Sequence, residues 1–212
     1  MSDTLPARIV EGFAAPRASA RRILAEGLTL DTAVLMVVFG YVVTAIAQLI
    51  LAPDVQRPEG NAFAYHIMNL LLQIGVFFLI AGMAFGLGKI SGGTGTLPQA
   101  QALIGWHSLV TSMLAPVSVY AAAEIVGSVA RMSETDPDAQ IDPAALEISG
   151  GSIFLALLVA GVWFWLLANY VAELHGFKNV WGVLGVICGL PVAIGMFLLW
   201  TTAVVATVGG AG

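Results

Sequence analysis

The side chains with the most chemical potential in this sequence are polar groups set inside long apolar runs. His66, Asn69 and Gln73 follow one another at spacings of three and four, which lines them along one stripe of a helix. Glu124 lies in a later apolar run, and Trp106, His107, Glu173 and His175 flank two short polar turns. Ionisable and amide groups in lipid are expensive and are each a candidate for function. Three chemistries compete for them: hydrogen bonds that fix helix against helix, a proton or ion path, and a histidine–carboxylate metal site. No two histidines share a helical face at ligand spacing, so no metal site is expected. Only Gln73, Thr111, Ser112 and Ser118 lie between the two ends of the polar set, and none is ionisable. Interhelical hydrogen bonding is therefore the favoured reading. Neither GxSxG nor HExxH occurs, so no catalytic residues are assigned, no enzyme is expected and no cofactor is implied.

A second candidate is the stretch SGGTGTLPQAQALIGWHSL, Ser91–Leu109. A phosphate-cradling loop needs a preceding strand and a closing GK[ST]. Here Thr96 and Leu97 follow Gly95, and Lys89 precedes the glycines, so nucleotide binding is excluded. Pro98 suits a first helical turn. The expectation is a turn exposed at a membrane face, with Gly92, Gly93, Gln99, Trp106, His107, Glu173 and His175 as contact residues for a protein or a lipid headgroup.

The elements that must position these groups follow from composition. Of 212 residues, 58% are hydrophobic and 10% charged, with a mean hydropathy of +0.91. Soluble domains carry about 25% charged residues, so lipid must solvate most of this chain. The single cysteine, Cys188, cannot close an internal disulfide and reads as a packing residue. Backbone in lipid must be helical or in a closed barrel, and the apolar runs lack period-two alternation. An all-α polytopic bundle with five transmembrane helices follows, with spans near 31–52, 62–88, 102–126, 152–172 and 180–208. Cytoplasmic loops are enriched in Lys and Arg. With the N-terminus cytoplasmic and the C-terminus extracytoplasmic, Arg8, Arg17, Arg21, Arg22, Lys89 and Lys178 fall inside, against Arg57 and Arg131 outside. No cleaved signal is read at the N-terminus.

This topology sets depths. His66 and Glu124 come to the outer end of the second and third spans and are expected to pair. His107, Glu173 and His175 belong to the inner end. Residues 1–29 form a cytoplasmic amphipathic segment ahead of a membrane domain, 30–212. Its sequence reads as one or two short helices broken near Pro16, with arginines facing an anionic bilayer surface. The outer acidic loop after Arg131 lacks the EF-hand spacing and reads as solvated. Pro116 and Pro191 are expected to kink the third and fifth spans. Gly82/Gly86 and Gly185/Gly189 form GxxxG patterns suited to close helix contacts. Trp106 and Trp181 fit an inner aromatic belt.

Two segments carry a family resemblance. One is GGTGTLPQAQALIGWHSL, with Gly92, Gly93, Gly95, Gln99, Ala100, Gly105 and Trp106. The other is LLANYVAELHGFKNVWGVLGVI, with Glu173, His175, Gly176 and Trp181 at the turn between the last two spans. With the five-span layout from about Asp31 onward, the chain resembles the Yip domain family, named for Ypt/Rab-GTPase-interacting proteins. The resemblance implies a five-helix bundle. In eukaryotes it also implies vesicle traffic and Rab binding, marked by a DLYGP-type motif before the first span. That motif is absent here, where LTLDTAVLM offers only Asp31, so the chain looks like the bacterial branch. The resulting expectation is a non-enzymatic scaffold or adaptor in a bacterial inner membrane. Its expected partners are membrane lipids and another membrane protein or a second copy, with no nucleic acid. The alternative is a small transporter, channel or lipid-passage protein using His66, Asn69, Gln73 and Glu124.

Overall fold

The computed structural model describes residues 4–52, 61–135, 149–187 and Gly189. Every regular element among them is a helix: α1 (Leu5–Ala14), α2 (Pro16–Glu26), α3 (Leu30–Leu51), α4 (Ala62–Ile90), α5 (Leu97–Ser112), α6 (Ala115–Thr135) and α7 (Gly150–His175). Helical backbone resumes at 180–187. The boundaries have local causes. Pro16 opens α2, and Gly27, at φ 61°, closes it. The Thr29 hydroxyl accepts from the Thr32 N–H to cap α3. Asn61 Oδ1 accepts from Phe63 and Ala64 N–H at the start of α4. Such caps satisfy donors that a helix cannot satisfy internally.

Three helices, α3, α4 and α7, are long and apolar enough to cross a membrane, and α5 with α6 forms a pair bent by 65° that makes up to a fourth span. The third span, expected over 102–126 with a kink at Pro116, is built from two separate helices that meet at this bend. Pro116, on the second residue of α6, has no N–H to give the carbonyl of Ser112. The chain there tightens instead, with Met113 N–H donating to Val110 O and Leu114 N–H to Thr111 O. The fifth expected span, 180–208, lies outside the described residues beyond its first two turns, as does most of the acidic loop.

α5 is the hub. It packs against α2, α3, α4 and α7, and ten of its sixteen residues are buried. Its approach to α3 is backbone on backbone: a Cβ on Gly105 would sit 2.7 Å from Ala33 O. One core cluster joins Ala20 and Ile23 of α2 to Leu103, Trp106, Leu166 and Tyr170. A second joins Val37, Phe77, Ile104 and Leu167. The N-terminal helices thus share the core of the membrane helices.

Candidate functional site

The polar groups gather where α4 and α7 end and α5 begins, here termed the socket end. Both helices finish the same way. Gly93 N–H donates to Gly88 O and Gly92 N–H to Lys89 O, with Gly92 at φ 80°. Phe177 N–H donates to Ala172 O and Gly176 N–H to Glu173 O, with Gly176 at φ 72°. Each is a Schellman cap, which uses a left-handed glycine to satisfy the last carbonyls. The two caps bring the loop at 91–96 against the end of α7.

His175 fills the space between them. It is 3% exposed. Its Nδ1 accepts from Gly95 N–H at 3.2 Å, which leaves Nε2 carrying the proton and donating to Ala84 O at 3.1 Å. One neutral ring thereby ties the loop, α4 and α7 together. The glycines are the walls of its socket: a Cβ on Gly88 or Gly93 would overlap the imidazole, and one on Gly95 would sit 2.6 Å from Leu174 Cγ. Phe177 stacks on the ring at 5.5 Å.

Around the socket, four arginines are paired with carboxylates. Glu173 receives Arg17 Nε at 2.9 Å on one oxygen and Arg21 Nε at 3.2 Å on the other. Arg17 also donates to Phe177 O at 2.8 Å. Arg8 meets Glu26 at 2.7 Å and lies over the Trp106 ring. Arg22 faces Glu11 at 3.5 Å. α2 is thus held across the end of α7 by its arginines, which the sequence reading had directed toward a bilayer surface.

The remaining expected residues divide. Gly92, Gly93, Glu173 and His175 meet in this cluster, while Gln99 stays local, its Oε1 accepting from Thr96 N–H and Oγ1 to fasten the start of α5. Trp106 and His107 are interior. Trp106 is 1% exposed and donates to Ser19 Oγ at 2.9 Å, because α2 covers it where a belt residue would meet lipid; Trp181, 75% exposed, has the exposure a belt residue needs. His107 bonds Trp163 O at 3.1 Å and meets the Trp163 and Tyr170 rings edge-on. At the other end of the bundle the expected pair does not form. His66 Nδ1 bonds the Tyr41 hydroxyl at 3.0 Å, and Glu124 accepts from Ser149 N–H, Ser149 Oγ and Ser152 Oγ at the start of α7. A shared expected depth does not decide which helix faces meet. Asn69 turns back to Tyr65 O. Gln73 lines a cavity of about 200 Å³ at the α5–α6 bend, with Thr44, His107, Ser108 and Thr111. No group of three or more metal-ligating side chains occurs among the described residues.

The sequence reading missed the Arg17/Arg21–Glu173 link, the Ser19–Trp106 bond and the grip of the glycines on His175. Only the last had a signal: glycines at two helix ends predicted to lie at the same depth.

A bundle of long apolar helices closed by a charge-paired polar end defines an integral membrane protein. The Yip1 domain model matches residues 12–202, and the chain belongs to that family, which is not known as an enzyme family. No curated protein and no solved structure matches the chain.

Proposed function

We propose that this chain is a non-enzymatic membrane scaffold or adaptor, in a bacterial inner membrane with the socket end cytoplasmic, working through helix–helix contacts. The observation that carries the reading is how its polar groups are spent. Arg17, Arg21, Glu173, His175 and Trp106 bind one element to another. Meanwhile the GxxxG face of α4 is open: no described residue comes within 4 Å of a Cβ placed on Gly82 or Gly86. Small residues of that kind let a second helix approach closely. A defined partner should copurify in mild detergent. Gly82→Leu with Gly86→Leu should release it, while His66→Ala with Glu124→Ala should leave it bound. Retention by the glycine double variant sinks the reading. Labelling of Ser133→Cys from the cytoplasmic side overturns the orientation.

One observation favours a transport reading as the second choice. The broken α5–α6 pair is lined by hydroxyls around a cavity, and irregular backbone at membrane depth is tolerated where it borders such a space. Ion or lipid flux in liposomes that is lost in the His66→Ala, Glu124→Ala chain would replace the scaffold reading.

A further inference from the structure

A groove of about 660 Å³ runs along α4 and α7 on the face that the helix at 180–187 borders. Ligand pockets span about 300–1,000 Å³. Its walls are apolar, with Met83 and Leu87 from α4, Leu167 and Val171 from α7, and Val183 opposite. It is polar at one end only, where Ser91, Lys178 and Asn179 form the mouth. That mouth is at the socket end, beside the C-termini of α4 and α7. On α4 the lining runs from Ser91 to Ile80, which at the helical rise of about 1.5 Å per residue is about 16 Å. Half of a hydrocarbon core of about 30 Å is about 15 Å. The groove therefore has the depth of a single leaflet, with its polar end where headgroups lie.

Charge selects the occupant. Arg8, Arg17, Arg21 and Arg22 each face a carboxylate. Lys178 is exposed, and no described residue offers it an ion pair. Asn179 uses Oδ1 to accept from Gly182 N–H, so its amide N–H₂ remains available to donate. We propose that this groove binds one anionic glycerophospholipid from the leaflet at the socket end, an acyl chain along Met83, Leu87 and Val183 and the phosphate at Lys178 and Asn179. The site is independent of the scaffold reading, because it needs no protein partner.

The test uses the full chain in proteoliposomes containing phosphatidylglycerol with a photoreactive acyl chain, with crosslinked peptides mapped by mass spectrometry. Labelling is expected on the α4 and 180–187 walls. Unlabelled phosphatidylglycerol should compete better than phosphatidylcholine by about fivefold, the contribution of one cation facing an anionic headgroup. Lys178→Ala should bring the two competitors level, Lys178→Arg should restore the difference, and Val183→Trp should lower wall labelling by either lipid. Each variant is checked for a monodisperse elution profile, and Lys178, being exposed, is a site where the fold should survive. Equal competition in the wild-type chain, or an undiminished preference in Lys178→Ala, overturns the proposal. So does labelling of exposed α3 residues such as Leu35 and Leu49 without labelling of the groove walls, which would mean that the chain beyond 189 or a second copy covers the groove.

Discussion

The His175 socket makes a quantitative demand on Gly93. A methyl there would occupy the place of the imidazole, so Gly93→Ala must displace the ring or the loop. Forcing extra atoms into a packed site costs about 1–3 kcal/mol. Displacing the ring also gives up its bonds to Gly95 N–H and Ala84 O, each worth about 1 kcal/mol net. The sum is about 3–5 kcal/mol. Gly92→Ala is the control. Its Cβ meets nothing within 4 Å, so it should cost only the left-handed strain, about 1–2 kcal/mol. The assay is reversible unfolding in mixed micelles, followed by tryptophan fluorescence. The sharper measure is a double-mutant cycle with His175→Gly, which removes the ring together with the His175 Cβ that would sit 2.5 Å from the new methyl. In that background Gly93→Ala should cost under about 1 kcal/mol, a coupling of 2 kcal/mol or more, approximately, between residues in contact. An equal cost in both backgrounds would falsify the socket.

Three further outcomes follow from the same end of the bundle. Glu173→Gln removes the shared partner of Arg17 and Arg21; both arginines keep some solvent contact, so a loss of about 1–2 kcal/mol is expected, seen as faster tryptic cleavage at Arg17 and Arg21. Trp106→Phe keeps most of the ring but loses the bond to Ser19, for about 1 kcal/mol, read in the same micelle unfolding. Gly105→Leu drives a side chain into the Ala33 backbone and should separate α3 from α5 at a cost of at least about 3 kcal/mol, read as loss of monodisperse protein on size-exclusion chromatography.

Much of this was readable in the chain and some was not, for reasons that differ by residue. Apolar run length located α3, α4 and α7 because lipid demands unbroken helices. Pro116 announced a bend, since a missing N–H is a property of one residue. The full break at Met113–Leu114 depends on how α5 and α6 each find neighbours, which no single residue encodes. His66 and Glu124 were expected at one depth, but depth fixes height along a helix and says nothing of azimuth, and Tyr41 and Ser149 hold the facing positions. Trp106 looked like a belt residue because the sequence does not show that α2 lies over it. The glycines of the 91–96 loop were visible, while their tenant, His175, comes 80 residues after Gly95.

The link between Arg17 and Glu173 spans 156 residues, and it orders events during synthesis. At about 5–20 residues per second, α2 leaves the ribosome roughly 8–30 s before its counterpart exists. Ser19 meets Trp106 only after a further 87 residues have been made, and Tyr170 comes later still. When Glu173 and Phe177 arrive, Arg17 and Arg21 gain their carboxylate, Arg17 gains its carbonyl, and the apolar face of α2 gains α7. The seating of α2 is complete only once α7 has been made.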